Sequence, residues 1–219
     1  MKKRLRMNWT GIKRKAIITG VSLAALGVTF AVGTFNPNAI TVNGYQKQIE
    51  TNFLKEAVAL GMHEPDFVYT DPQSFMDAVG NCVDYINFTT PREQRVPSAI
   101  IIAMAGIESG WGTSRFTKEG NNLFGIRTWD ADVPQMKPLD LPNAEFGVKT
   151  YPTKCASVQH AINILNEHYA YEGFRVERTR QIAAGIVDYK LLSENISPWS
   201  VNEKYSNMIV NTIASKELP

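Results

Sequence analysis

Between Val96 and Gly112 the chain runs VPSAIIIAMAGIESGWG, an almost wholly apolar stretch that carries one carboxylate, Glu108, near its end. Pro97 suits the first turn of a helix. Ile101, Met104, Ala105 and Glu108 recur at the i, i+3, i+4, i+7 spacing of one helical face, and Gly110 with Gly112 stops it. The spacing predicts a helix whose apolar face needs a packed domain around it, with Glu108 in its last turn.

A last turn is a poor place for a carboxylate, because the negative end of the helix dipole and the apolar face beside it both disfavour the charged form. A carboxyl that keeps its proton near neutral pH can hand that proton to a leaving oxygen. An isolated Glu at a helix end is ordinarily a surface residue. Here Trp111 and Phe116 put aromatic mass beside it, and Asn121 and Asn122 bring side chains able to hold a backbone turn.

The segments ESGWGTSRF (from Glu108) and GNNLFG (from Gly120), with LNEHYAYEGFR (from Leu165), resemble the bacterial peptidoglycan glucosaminidases of glycoside hydrolase family 73, in the lysozyme-like superfamily. Their Bax-like branch is the most similar. The resemblance runs from about Val96 to Arg178 and more loosely to Tyr205. It implies a mainly α (α+β lysozyme-like) fold, with a small β-hairpin or flap beside a sugar-binding cleft.

The first fifteen residues hold seven basic and no acidic side chains. Setting those seven aside leaves 16 basic against 21 acidic residues, a net charge of about −5. A mildly acidic body argues against nucleic acid as a partner, which would need a basic face. Residues 16–35 contain no charge at all, and their length matches the ~20 residues needed to cross a bilayer. The basic flank should stay in the cytoplasm. The expected order is therefore a tail (1–15), a transmembrane signal-anchor (16–35), a linker (36–44) and an exported lysozyme-like domain (45–219). That domain would sit on the periplasmic side of the inner membrane, or be secreted if the segment is a cleaved signal. Cys82 and Cys155 fall in the exported part, where one disulfide or two buried thiols remain equally open.

Helical stripes recur beyond Glu108. Ile49, Phe53, Leu54, Ala57 and Leu60 form one before it, ended by Gly61, and Phe75, Val79, Cys82, Val83 and Ile86 form a second, with Thr70 or Asp71 as its cap. After it, Val158, Ala161, Ile162 and Leu165 share a face. ERTRQIAAGIVDYKLL reads as one short helix through Ile182, Ile186 and Leu191, and Tyr205, Met208, Ile209 and Ile213 mark a terminal one. Between Thr128 and Thr150 the helical period is lost, and it is the resemblance that places the flap there.

Glycosidases commonly use two carboxyl groups. Glu108 is the expected proton donor. Glu145, in the stretch AEFGVKTY that would return from the flap, is the expected second acid, ahead of Asp130, Asp132 and Asp140; assistance by the substrate's own N-acetyl group is the alternative. Substrate-binding candidates are Asn122 and the rings of Trp111, Phe124, Trp129, Tyr151, Trp199 and Tyr205, since a flat ring covers the apolar face of a pyranose. Tyr171 is a further ring, which the pattern assigns to the core ahead of the groove. Trp199 begins WSVNEKY, where the family's Y-x5-Y segment has an active-site Tyr; the resemblance implies that Trp199 keeps the stacking of that ring and lacks its hydroxyl.

His63, His160 and His168 show no ligand spacing, so neither metal nor cofactor is implied. The reading is an endo-β-N-acetylglucosaminidase acting on peptidoglycan glycan strands, with a lytic transglycosylase or a catalytically decayed wall-binding module as competitors. No partner in an envelope-spanning machine can be named from the residues.

Overall fold

The computed structural model describes residues 63–218 together with Gln48, Asn52 and Lys55, which are helical and exposed. The chain divides into two compact units, Met1–Leu60 and Gly61–Pro219, and the second holds every element named below. The expected tail, span and linker, and nearly all of the helix expected over 45–61, lie outside the described residues. Among the described residues no helix is long and apolar enough to cross a membrane.

Helix α1 (Pro72–Thr89) starts from Asp71, whose side chain accepts from the Ser74 N–H while the Ser74 hydroxyl accepts from the Asp71 N–H. This reciprocal capping satisfies donors that a helix start leaves bare. Phe75, Val79, Cys82, Val83 and Ile86 are all buried, as their stripe predicts.

Helix α2 (Ser98–Ser109) departs from its expected single face, because every residue from Ala99 to Gly106 is buried. A helix apolar all round is a core helix. It ends at Gly110 in the left-handed region, with the Gly110 N–H bonded to Gly106 O. Trp111 then turns at φ 56° and lays its ring on Gly106, where an added Cβ would stand 2.5 Å from the indole. Glycine is what lets the chain fold back over its own helix.

Helix α3 (Arg115–Gly120) is capped by Ser114 and ended by Asn121 at φ 54°. Three short strands follow: β1 (Arg127–Thr128), β2 (Gln135–Met136) and β3 (Gly147–Lys149). Their order is β1-β3-β2, all antiparallel, with Val148 opposite both Arg127 and Met136. The flap is thus a three-stranded sheet rather than the expected hairpin. The chain between β2 and β3 is held by Lys137, whose ammonium donates to Ala144 O and Phe146 O.

Helix α4 (Lys154–Glu167) is capped by Thr153. Then come α5 (Glu172–Ala184), α6 (Tyr189–Glu194) and α7 (Tyr205–Ser215). The single helix expected over ERTRQIAAGIVDYKLL is two. Gly185 ends α5 at φ 66°, and Asp188 caps α6 by accepting from the Leu191 N–H. Ile186 and Leu191, read as a core face, are exposed at 48% and 37%, because the break turns them away from it.

Helices α1, α4 and α7 pack around α2. Cys82 of α1 and Cys155 of α4 are joined by a disulfide between buried positions, which settles the open pairing.

Candidate active site

Glu108 leaves the last turn of α2 and lines a cleft of about 460 Å³. Burial raises its pKa above the ordinary carboxyl value, so desolvation by the apolar surroundings is the first cause of the shift. The Tyr205 hydroxyl opposes the shift in part by interacting with the carboxyl, although it makes no settled hydrogen bond. Burial first, and the Glu108 charge next, keep that phenol protonated.

One wall of the cleft comes from the turn after α3, as Phe124, Gly125 and Ile126. Asn122 builds it. Its Oδ1 accepts from the Phe124 and Ile126 N–H groups, and its Nδ2 donates to Ile126 O and Lys149 O, which ties the turn to β3. With those four bonds and 1% exposure, Asn122 has the turn-holding role its side chain suggests, and although named as a binding candidate it is not among the residues lining the cleft.

Trp199, Ser200 and Val201 line the cleft as well, with Tyr171 and Ile164. The Trp199 ring meets Phe124 at 6.1 Å and Tyr171 at 6.0 Å. Tyr171 is thus a cleft residue; burial pushes its pKa up to about 12. At the sheet end Trp129 is 67% exposed and tilts against Phe146, over which the Arg127 guanidinium sits at 4.4 Å. Arg127 lines the cleft as well, and no periodicity or motif marked it.

The remaining candidates lie elsewhere. Trp111 packs edge-on to Phe75 with the Lys216 ammonium over its ring, so it buttresses α2 from the core side. The Tyr151 hydroxyl is joined to His160 Nδ1 at 2.6 Å and does not line the cleft. Tyr205 is not among the lining residues and lies behind Glu108 and Tyr171, which are. Glu145 is exposed on the loop before β3 and is not among the lining residues, and neither is Asp130, Asp132 or Asp140. Glu108 is the one acidic group among the described residues that line the cleft.

The glucosaminidase family profile, described as mannosyl-glycoprotein endo-beta-N-acetylglucosaminidase, matches residues 89–218. The chain belongs to the glucosaminidase family. Over 94 residues the glucosaminidase chain is 31% identical to Protein bax of Escherichia coli K12, covering 43% of this chain and 32% of that one. Over 118 residues it is 26% identical to the peptidoglycan hydrolase FlgJ of Salmonella typhimurium LT2, covering 48% of this chain and 34% of that one. The chain therefore spans about a third of the length of these relatives. Among solved structures, the catalytic domain of the autolysin Auto from Listeria monocytogenes superposes with a TM-score of 0.51 at 17% identity, over 75% of this chain and 95% of that one. That likeness concerns the fold: a mainly helical, lysozyme-like domain with a small sheet.

Proposed function

We propose that this glucosaminidase domain hydrolyses the β-1,4 bond after N-acetylglucosamine in peptidoglycan, with Glu108 as general acid. One observation carries the reading: a carboxyl whose burial favours its protonated form lines a cleft walled by Phe124, Trp129 and Trp199. The family membership supports the bond type, and the printed name of the Salmonella relative supports the polymer.

With one acid in the cleft, the sugar's own acetamido group is the fitting nucleophile. Its carbonyl oxygen bonds to C1 as the C1–O bond breaks, and Glu108 delivers its proton to the departing oxygen. Water then adds at C1 as the bond from C1 to the acetamido oxygen breaks and the amide re-forms, and the water's proton passes to the Glu108 carboxylate, which resets the site. Trp199 and Trp129 would hold the pyranose faces, and Arg127 would donate to a hydroxyl or carbonyl.

The charge-free segment 16–35 behind a basic tail supports export of the domain and its retention at the inner membrane. Fractionation of expressing cells, with protease access to residues 63–218 from the periplasm only, tests that placement.

The test of the chemistry is digestion of purified cell-wall sacculi by the chain and by Glu108→Gln. New reducing ends on N-acetylglucosamine that vanish in the variant support the reading, and equal release by the variant refutes it. The solitary acid also suits a lytic transglycosylase, whose products are lighter by one water, so product mass decides between the two.

A further inference from the structure

At the far end of α2 from Glu108 lies a second cavity, of about 340 Å³. Its charged side is Arg92, Arg95 and Arg178, and no acidic residue lines it. Its apolar side is Val96, Ile182, Ile186, Val187 and Leu192. Arg92 and Arg95 are exposed, and among the described residues neither forms an ion pair.

Arg178 is 5% exposed. Both of its hydrogen bonds leave Nη1, to Gln94 O and Asn166 Oδ1, while its Nε is buried with no acceptor. The Nε side of a guanidinium is one of the edges that grips a carboxylate through paired bonds. Burial and the nearby Arg175 charge lower its pKa to about 10, against an opposite pull from Glu93, so it stays charged at neutral pH. Asn87, lining the same cavity, has its Oδ1 buried with no donor. The start of α2 opens here too, since Pro97 and Ser98 line the cavity and no side chain caps the helix. Its positive dipole end therefore adds to the three guanidinium charges.

We propose that this cavity binds the carboxylate end of a short peptide bearing small apolar side chains, the peptide being the stem carried by the wall glycan. Only the source of the peptide rests on the function proposed for the cleft; its chemistry is read from the cavity. A carboxylate answers the arginines, a peptide N–H answers Asn87, and methyl groups answer the aliphatic side. Inorganic phosphate would leave that side uncovered. The volume lies at the lower end of those that hold small ligands.

The test titrates the full chain with a soluble stem peptide ending in D-alanine, with the same peptide amidated at its carboxylates, and with inorganic phosphate. The readout is the NMR shifts of the Arg178 Nε–H and the Ser98 and Ala99 amides. Saturable shifts from the peptide are expected, with affinity at least ~tenfold weaker after amidation and in the Arg92→Glu, Arg95→Glu double variant, whose changes are at exposed positions. No saturable shift at these groups overturns the proposal, and so does an amidated peptide or phosphate that binds as well as the free carboxylate.

A second arm compares hydrolysis of peptide-bearing sacculi with that of peptide-free glycan. The double variant should raise KM about tenfold on the first and leave it unchanged on the second; an equal change on both overturns the stem peptide as the ligand. If the parent chain cuts neither substrate, the hydrolase reading fails, and the titration alone decides this cavity.

Discussion

Reduction of the Cys82–Cys155 bridge should cost this domain about 4.4 kcal/mol. The two cysteines are 73 residues apart in sequence, and closing a loop of that length removes about 15 cal/mol/K from the unfolded ensemble in the chain-entropy account. Both positions are buried, at 0% and 2% exposure, so two thiols left in place after reduction create no cavity, and the loss is chiefly one of the unfolded state. The assay is urea unfolding followed by tryptophan fluorescence, on protein refolded with and without a phosphine reductant. With a slope of about 2 kcal/mol/M, the midpoint should fall by roughly 2 M. A fall below about 0.5 M at unchanged slope would refute the loop-entropy argument and make the bridge incidental to stability.

Glu108 has a folded pKa above its unfolded value, so its contribution to stability is fully present below the ordinary carboxyl range and is lost as pH rises through the raised value. Glu108→Gln should therefore be more stable than the parent at neutral pH and equal to it below pH about 4; thermal melts across that range check it. Tyr205→Phe removes the group that opposes the Glu108 shift. The alkaline fall in activity should then move to higher pH, and a pH–rate profile that stays put would count against Glu108 as the acid. Asn122→Ala breaks four buried bonds and should cost about 3 kcal/mol in denaturant melts. Trp129→Ala, at an exposed ring, should stay within about 0.5 kcal/mol of the parent while raising KM on sacculi.

The helix carrying Glu108 was legible because its apolar spacing and the glycines after it are local facts, and the GNNLFG turn was legible because Asn and Gly encode backbone geometry directly. The aromatic candidates were a different matter. A ring's presence can be read from one residue, but the side on which it lies depends on what packs against it. Trp111 folds back onto Gly106, and Tyr151 is held by His160, while Phe124 and Trp199 pack edge to face on the cleft lining. Asn122 holds the turn, as the motif's polar pair suggests, and only the structure separates that role from a place on the cleft lining.

The sequence by itself determined the core helix, its terminal carboxyl and the family, since each rests on residues within one turn or one motif of each other. Only the tertiary structure decided that Cys82 meets Cys155, that Glu145 is not among the residues lining the cleft, and that Arg92, Arg95 and Arg178 share one cavity. These are pairings across long stretches of chain. They follow from how helices close around α2, and that closure is set by the summed packing of the whole core rather than by any segment's own pattern.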